Sequence, residues 1–299
     1  MPTLRQSLAA RILHLYPLMS GCGTLANHPF LHRMVGRSEE VVWSRIAGGM
    51  HVCTPLDDYI GRSVFYMGDL DPKITWICSR LLREGDVALD IGANLGIVTF
   101  LMARLVGPSG HVHAFEPNPL LQEFIQQAIE RNSAANVTLH PVALGERDDE
   151  LSLRVPRGNA GAASLVEPRV DIAVHEVPVP VRRLGDVLAD SPPAAIRLVK
   201  MDVEGFEPAV LRGAVDLFRS TPPEAIIFEL NERDVSLRNH PTFRILDELG
   251  YAFFAIPRCL VRMRLVRFDP WSSSSPRAHD FLASPRGELY ERVAELVRA

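Results

Sequence analysis

The segment Asp86-Val87-Ala88-Leu89-Asp90-Ile91-Gly92-Ala93-Asn94-Leu95-Gly96 constrains the fold more than any other: a short apolar strand ends in an acid and breaks into a glycine-spaced turn. Apolar residues at 87, 89 and 91 suit a strand buried in a parallel sheet. Gly92 and Gly96 let the backbone turn and approach a ligand before a helix opens near Ile97. Asp90 is then expected at the strand end, facing a bound molecule. Dinucleotide-binding turns carry G-x-G-x-x-G with an acid about 20 residues later. Here the spacing is G-x-x-x-G and the acid comes first, so a pyrophosphate is a poor fit.

The residues beyond the turn narrow the choice of ligand. A helical run from Ile97 to Val106 and a Gly107-Pro108-Ser109-Gly110 turn lead into a second strand, His111 to Phe115, that ends in Glu116-Pro117-Asn118-Pro119. An ionised carboxylate at Glu116 can accept both hydrogen bonds of a ribose diol. Adenosine joined to something other than a pyrophosphate is implied, and S-adenosylmethionine fits. Taken alone, the turn also suits a plain tight connection and the acid a helix cap. Their succession, one strand-helix unit apart, is what points to a cofactor.

The organisation of the chain agrees with an α/β fold. From residue 86, strands expected at 87–91, 111–115, 137–142, 196–201, 225–230 and 252–256 alternate with helices at 97–106, 119–132, 208–217 and 241–249. That alternation predicts a doubly wound, mostly parallel sheet. Residues 1–79 read as a lead-in that caps the core, with a short strand at Tyr59–Tyr66 and a helix from Asp71 to Arg83. Residues 80–270 form the cofactor-binding domain. Within it, residues 145–184 break the rhythm as an inserted flap: Glu150–Val155 and Val177–Val181 alternate as strands around the small-residue stretch Gly158–Ser164. Pro178 and Pro180 are expected to confine the second strand to an edge. Residues 271–299 read as a loop and a final helix opened by Ser284-Pro285.

The chemistry is expected at Leu198-Val199-Lys200-Met201-Asp202-Val203-Glu204-Gly205-Phe206-Glu207, a buried strand running into three acids. Ligands of open α/β sheets bind outside the carboxyl ends of the strands. Asp202 is the first candidate to orient or deprotonate an acceptor and Glu204 the second, while Glu207 equally suits a helix N-terminus. Ala143-Leu144-Gly145 can lie against an adenine ring. Glu229 and Asn231 suit either an acceptor pocket or a solvated strand end, and His140 reads as structural.

In this order, D-I-G-A-N-L-G, F-E-P-N-P, A-L-G and K-M-D-V-E-G-F-E resemble the FkbM family of S-adenosylmethionine-dependent methyltransferases over about residues 60 to 256. The resemblance implies a seven-stranded class I methyltransferase sheet. It also implies methyl transfer to a hydroxyl of a small molecule, sugar or polyketide-type product. Carried over by motif, Asp90, Gly92, Asn94 and Gly96 would hold the methionine end and the turn. Glu116, beside Pro117, would hold the ribose, Ala143 and Leu144 would lie against the adenine, and Asp202 and Glu204 would face the acceptor.

Composition narrows the alternatives. A net charge of −4 implies no overall basic character that would hold a phosphate backbone, so the expectation is a small-molecule acceptor and no nucleic acid. Hydrophobic residues at 47% and charged residues at 23% describe a globular chain rather than a disordered one. The cysteines at 22, 53, 78 and 259 show neither zinc nor disulfide spacing, which favours reduced thiols in the cytoplasm and no metal. No apolar run is long enough to span a bilayer. The apolar stretch Leu8–Met19 can lie on a membrane surface, but packing as an ordinary helix is favoured. The leading function is an O-methyltransferase. A nicotinamide-dependent oxidoreductase, disfavoured by the glycine spacing, and a non-catalytic cofactor-binding protein are the alternatives.

Overall fold

The structure, a computed structural model, describes residues 2–15, 19–166, 174–230, 237–272 and 278–297. Its N-terminal part comprises helices α1 (Leu4–Leu13), α2 (Cys22–Ala26) and α3 (Pro29–Val35), a hairpin of β1 (Val41–Arg45) and β2 (His51–Pro55), and helices α4 (Tyr59–Met67) and α5 (Pro72–Leu81). Helix α4 corrects the expectation of a strand at Tyr59–Tyr66. The β-branched and aromatic content suggests a strand, but Asp58 accepts hydrogen bonds from the N–H groups of Ile60 and Gly61 and caps a helix instead. Phe65, Tyr66 and Met67 of α4 pack on Ala10, Cys22, Ala26 and Leu31. Gly61 sets the approach of α4 to β2: a Cβ there would lie 2.2 Å from the Pro55 carbonyl oxygen.

Strands and helices then alternate as β3 (Val87–Ile91), α6 (Ile97–Val106), β4 (His111–Phe115), α7 (Pro119–Asn132) and β5 (Val137–His140). After β6 (Ala143–Leu144), β7 (Asp149–Pro156), β8 (Val174–Arg182) and a short α8 (Leu184–Val187), the alternation resumes. It continues with β9 (Leu198–Met201), α9 (Glu207–Ser220), β10 (Ala225–Glu229), α10 (Pro241–Glu248) and β11 (Tyr251–Ile256). Strands β12 (Val266–Phe268) and β13 (Asp280–Pro285) and helix α11 (Glu288–Leu296) complete the described chain.

The main sheet has the order β12-β11-β13-β10-β9-β3-β4-β5. The run from β10 through β9, β3 and β4 to β5 is parallel. Strand β13 is inserted antiparallel between β10 and β11. This is the seven-stranded arrangement expected, with the short β12 added antiparallel at one edge. One face packs on α5, α6, α7 and α11 through residues such as Ile77, Phe100, Ile125 and Val293. The other packs on α9 and α10 through residues such as Leu211, Phe218 and Phe243.

Strand β13 occupies part of the stretch read from sequence as loop and helix. Ser284-Pro285 closes this strand rather than opening the helix, which begins at Glu288. Asp280–Pro285 is short and comes after a serine-rich run, so its buried character shows only once β10 and β11 flank it. In the flap, β7 and β8 form an antiparallel hairpin and β6 pairs with the end of β8, giving the order β6-β8-β7. Strand β8 is thus the middle strand, contrary to the edge expected from its prolines. Its contact with β6 is confined to Val181 and Arg182, so Pro178 and Pro180 stand where β6 leaves the strand open.

Candidate active site

Register decides where the motif acids go. Asp90 of β3 and Lys200 of β9 are direct neighbours on adjacent parallel strands and point to the same face of the sheet, beneath α6. Asp90 is completely buried. The Thr99 hydroxyl on α6 donates to its Oδ2 at 2.6 Å, and Lys200 Nζ stands 3.5 Å from its Oδ1. Asp90 is not among the residues lining the cavity at the strand ends, which corrects the expectation that it faces a bound molecule. Its carboxylate holds the turn from behind: Lys200 also donates to the Gly92 carbonyl at 2.9 Å and stands 3.6 Å from Asp202 Oδ2. Burial opposes the charge on Lys200, yet Asp90 and Asp202 hold its ammonium above the usual lysine range. Burial raises the Asp90 carboxyl, against the pull of Lys200.

The turn itself is tightly fitted. Gly92 has φ 78°, and a Cβ there would lie 2.0 Å from the Asp202 carbonyl oxygen, so only glycine lets β3 and β9 end this close together. Asn94 is left-handed at φ 56°, which aims its N–H at Glu116 Oε2, 2.7 Å away. The N–H of Asn118 donates to Oε1 at 2.9 Å. Each Glu116 oxygen is therefore oriented by one backbone donor and keeps capacity for another. Burial pushes this carboxyl up to about 7, while the two N–H groups pull the other way. Gly96, at φ 79°, begins α6.

These elements border a cavity of about 580 Å³, large enough for a nucleoside cofactor and a small acceptor together. Gly92, Asn94, Glu116, Pro117, Ala143 and Leu144 line it together. Its lining is also acidic. Asp202 and Glu204 contribute from the turn after β9, Glu229 from β10, Asp280 from β13 and Asp71 from the start of α5. Asp280 lies beside Glu229 in register. Buried Lys73 pairs with both Asp71 and Asp280. Burial, then the charges of Asp202, Asp280 and Glu204, push the Glu229 carboxyl up to about 9. Glu204 sits at φ 50°, and its backbone carbonyl accepts from the Ser164 hydroxyl of the flap at 2.8 Å. Glu207 is buried and turned inward, accepting from the N–H groups of Val203 and Gly205, so it braces the turn and does not line the cavity. Asn231 lies outside the described residues.

Reading the sequence alone misses Lys200, Lys73, Asp71 and Asp280. Only Lys200 carries a local signal, a lysine inside an otherwise apolar strand. His140 stacks on Phe115 and hydrogen-bonds His113. Among the described residues, no group of three or more His, Cys, Asp or Glu is placed to hold a metal ion.

A parallel sheet with one antiparallel strand inserted near its edge, a glycine turn after the first core strand and a carboxylate at the tip of the next define a class I methyltransferase fold. The family model for the methyltransferase FkbM domain matches residues 90–253, and the chain belongs to that family. It is 34% identical over 145 residues to Methyltransferase 1 of Beauveria bassiana, covering 43% of this chain and 58% of that protein. It is 32% identical over 161 residues to 31-O-demethyl-FK506 methyltransferase FkbM of Streptomyces tacrolimicus, covering 45% and 62%. The chain thus spans about three fifths of the length of these relatives. Among solved structures, methyltransferase FkbM of Methylobacillus flagellatus aligns with 18% identity and a TM-score of 0.44, over 93% of this chain and 58% of that one.

The cofactor is S-adenosylmethionine, and the residues present suit it. The Glu116 oxygens retain lone pairs for a ribose diol, the Gly92–Asn94 backbone lies open to the cavity, and Ala143 and Leu144 give an apolar wall for a purine.

Proposed function

We propose that this protein methylates a hydroxyl oxygen of a small-molecule, sugar or polyketide-type acceptor. The observation that carries the reading is that Asp202 and Glu229, at the ends of adjacent strands, both line the cavity, with Lys200 held charged behind Asp202. Lys200 is pinned as an ammonium and is not available to take a proton. Burial and the neighbouring acids favour the protonated form of Glu229, which can donate a hydrogen bond, while the Asp202 carboxylate can accept one. A hydroxyl offers both a donor and an acceptor to such a pair.

Bound S-adenosylmethionine supplies an electrophilic methyl group. Glu116 would hold its ribose, and the Gly92–Asn94 turn its methionine end. Asp202 would orient the acceptor hydroxyl and take its proton, with Glu204 as the second carboxylate at the same tip. The name of the Streptomyces tacrolimicus relative makes 31-O-demethyl-FK506 its substrate, which supports oxygen as the acceptor atom here. Family membership sets aside the nicotinamide reading.

The test is incubation with methyl-labelled cofactor and a panel of alcohols, amines and carbon acids, with the product bond assigned by mass spectrometry and NMR. A methyl ether is expected. Label found only on nitrogen or carbon overturns the assignment to oxygen, and cofactor binding with no transfer to any member would favour the non-catalytic alternative.

A further inference from the structure

We propose that α1 and the segment 258–267 dock together on an anionic lipid bilayer. Helix α1 is inverted for a solvent-exposed helix: Gln6 and Ala10 are buried, while Leu4, Leu8, Ile12 and Leu15 are 86%, 57%, 60% and 82% exposed. The favoured packing against the N-terminal core is made by Ala9, Ala10 and Leu13 and leaves Leu4, Leu8 and Ile12 outside. At 3.6 residues per turn Leu4, Leu8 and Ile12 fall within an arc of about 80°, Arg5 and Arg11 lie just beyond its two borders, and Leu15 follows past the helix end. An apolar stripe edged by cations is the form of a helix lying in the headgroup region of a bilayer. The neighbouring α3 adds Phe30 and Met34, 65% and 50% exposed and one turn apart, with Arg33 beside them.

A second, independent segment has the same chemistry. Arg258, Arg262, Arg264 and Arg267 are exposed and interleave with Leu260 and Val261, which are 65% and 76% exposed. The chain that follows α1 is tied to this segment: the Met19 N–H donates to the Leu260 carbonyl at 3.0 Å. Arg258 and Leu260 of this segment line the cavity, as do Ser20 and Gly21 beside Met19.

Charge selects the occupant. Residues 1–38 contain four arginines and no acid, and residues 258–268 contain four more and no acid, of which Arg267 is paired with Glu291 of α11, in a chain whose net charge is −4. A second copy docked through this face by two-fold symmetry would bring like-charged surfaces together. An anionic lipid surface complements both the leucines and the arginines, each basic residue near such a surface adding to the attraction.

The experiment is co-sedimentation of the full chain with vesicles of phosphatidylcholine alone and with about 30% phosphatidylglycerol, at low and high salt. Binding to the anionic vesicles only, weakening with salt, is expected. Leu8→Asp/Ile12→Asp should lower the partition by about tenfold or more, and Arg262→Glu/Arg264→Glu should do the same. Both should leave S-adenosylmethionine affinity and the circular dichroism spectrum unchanged. If the α1 variant fails to fold, the arginine variant decides alone. Absence of binding to anionic vesicles at low salt, equal binding to neutral ones, or folded variants that bind like the parent would overturn the proposal. So would light scattering that shows a dimer dissociated by Leu8→Asp/Ile12→Asp.

Discussion

Replacing Lys200 by Met isolates the charge that ties the Gly92 turn to Asp202. The Lys200 side chain is 11% exposed and that of Asp90 is fully buried, so the substitution leaves Asp90 with the Thr99 hydroxyl as its hydrogen-bond donor and frees the Gly92 carbonyl. Removing one partner of a buried pair costs about 3–5 kcal/mol, because the remaining charge keeps its desolvation penalty. The pH dependence has a definite sign. Burial already raises Asp90 and Lys200 opposes that, so without the lysine the carboxyl rises further. A group raised in the folded state contributes stability at low pH that is lost as pH climbs through its folded pKa. Lys200→Met should therefore lose most stability, relative to the parent, toward alkaline pH. Urea unfolding followed by circular dichroism at about pH 5.5 and about pH 8 measures both effects. Asp90→Asn/Lys200→Met removes both charges and should recover part of the loss. A Lys200→Met protein within about 1 kcal/mol of the parent at both pH values would refute the reasoning, since surface pairs have that worth.

Four further outcomes are expected. Glu116→Gln should weaken S-adenosylmethionine binding by roughly 10- to 150-fold in calorimetry, the worth of a charge-assisted hydrogen bond. Because the free Glu116 carboxyl is pushed up to about 7 and only its ionised form accepts from both hydroxyls, parent affinity should fall as pH drops below 7, while Glu116→Gln stays flat. Asp202→Asn should slow single-turnover methyl transfer by about 10²–10⁴-fold with little change in cofactor affinity; near-native transfer removes Asp202 as the base. Shortening Gly158–Ser164 should raise the acceptor KM more than the cofactor Kd, and equal changes would put the flap in the cofactor site. Gly61→Ala should cost about 1–3 kcal/mol in urea unfolding, because the new methyl meets the Pro55 carbonyl.

The parts of the site written as one strand and its turn are legible in the sequence. Gly92, Glu116 and Asp202 lie in runs whose local pattern alone puts them at strand ends. Asp90 is misplaced by such a pattern because side-chain parity depends on register, and its pairing with Lys200 becomes visible only when β3 and β9 are adjacent. Asp71, Lys73 and Asp280 are illegible for a different reason. Lys73 and Asp280 are bonded across 207 residues of chain, and Asp71-Pro72 reads locally as an ordinary helix start. Strand β13 escapes because six residues after a serine-rich loop have no periodicity of their own, and α4 because a capping aspartate outweighs the strand preference of its side chains.

The inserted position of β13 sets an order of events during synthesis. Until Asp280–Pro285 has left the ribosome, β10 presents an open edge and β11 has no neighbour joining it to the rest of the sheet. The nascent chain can pair β3, β4 and β5, and separately β9 and β10, from neighbours close in sequence; β9 then joins β3 at long range, and the last join waits for residues 280–285. The same strand brings Asp280 to Lys73, so the acidic lining of the cavity is electrostatically finished only at that final step. A nascent chain halted before Asp280 would hold the complete cofactor turn beside an unpaired, aggregation-prone edge.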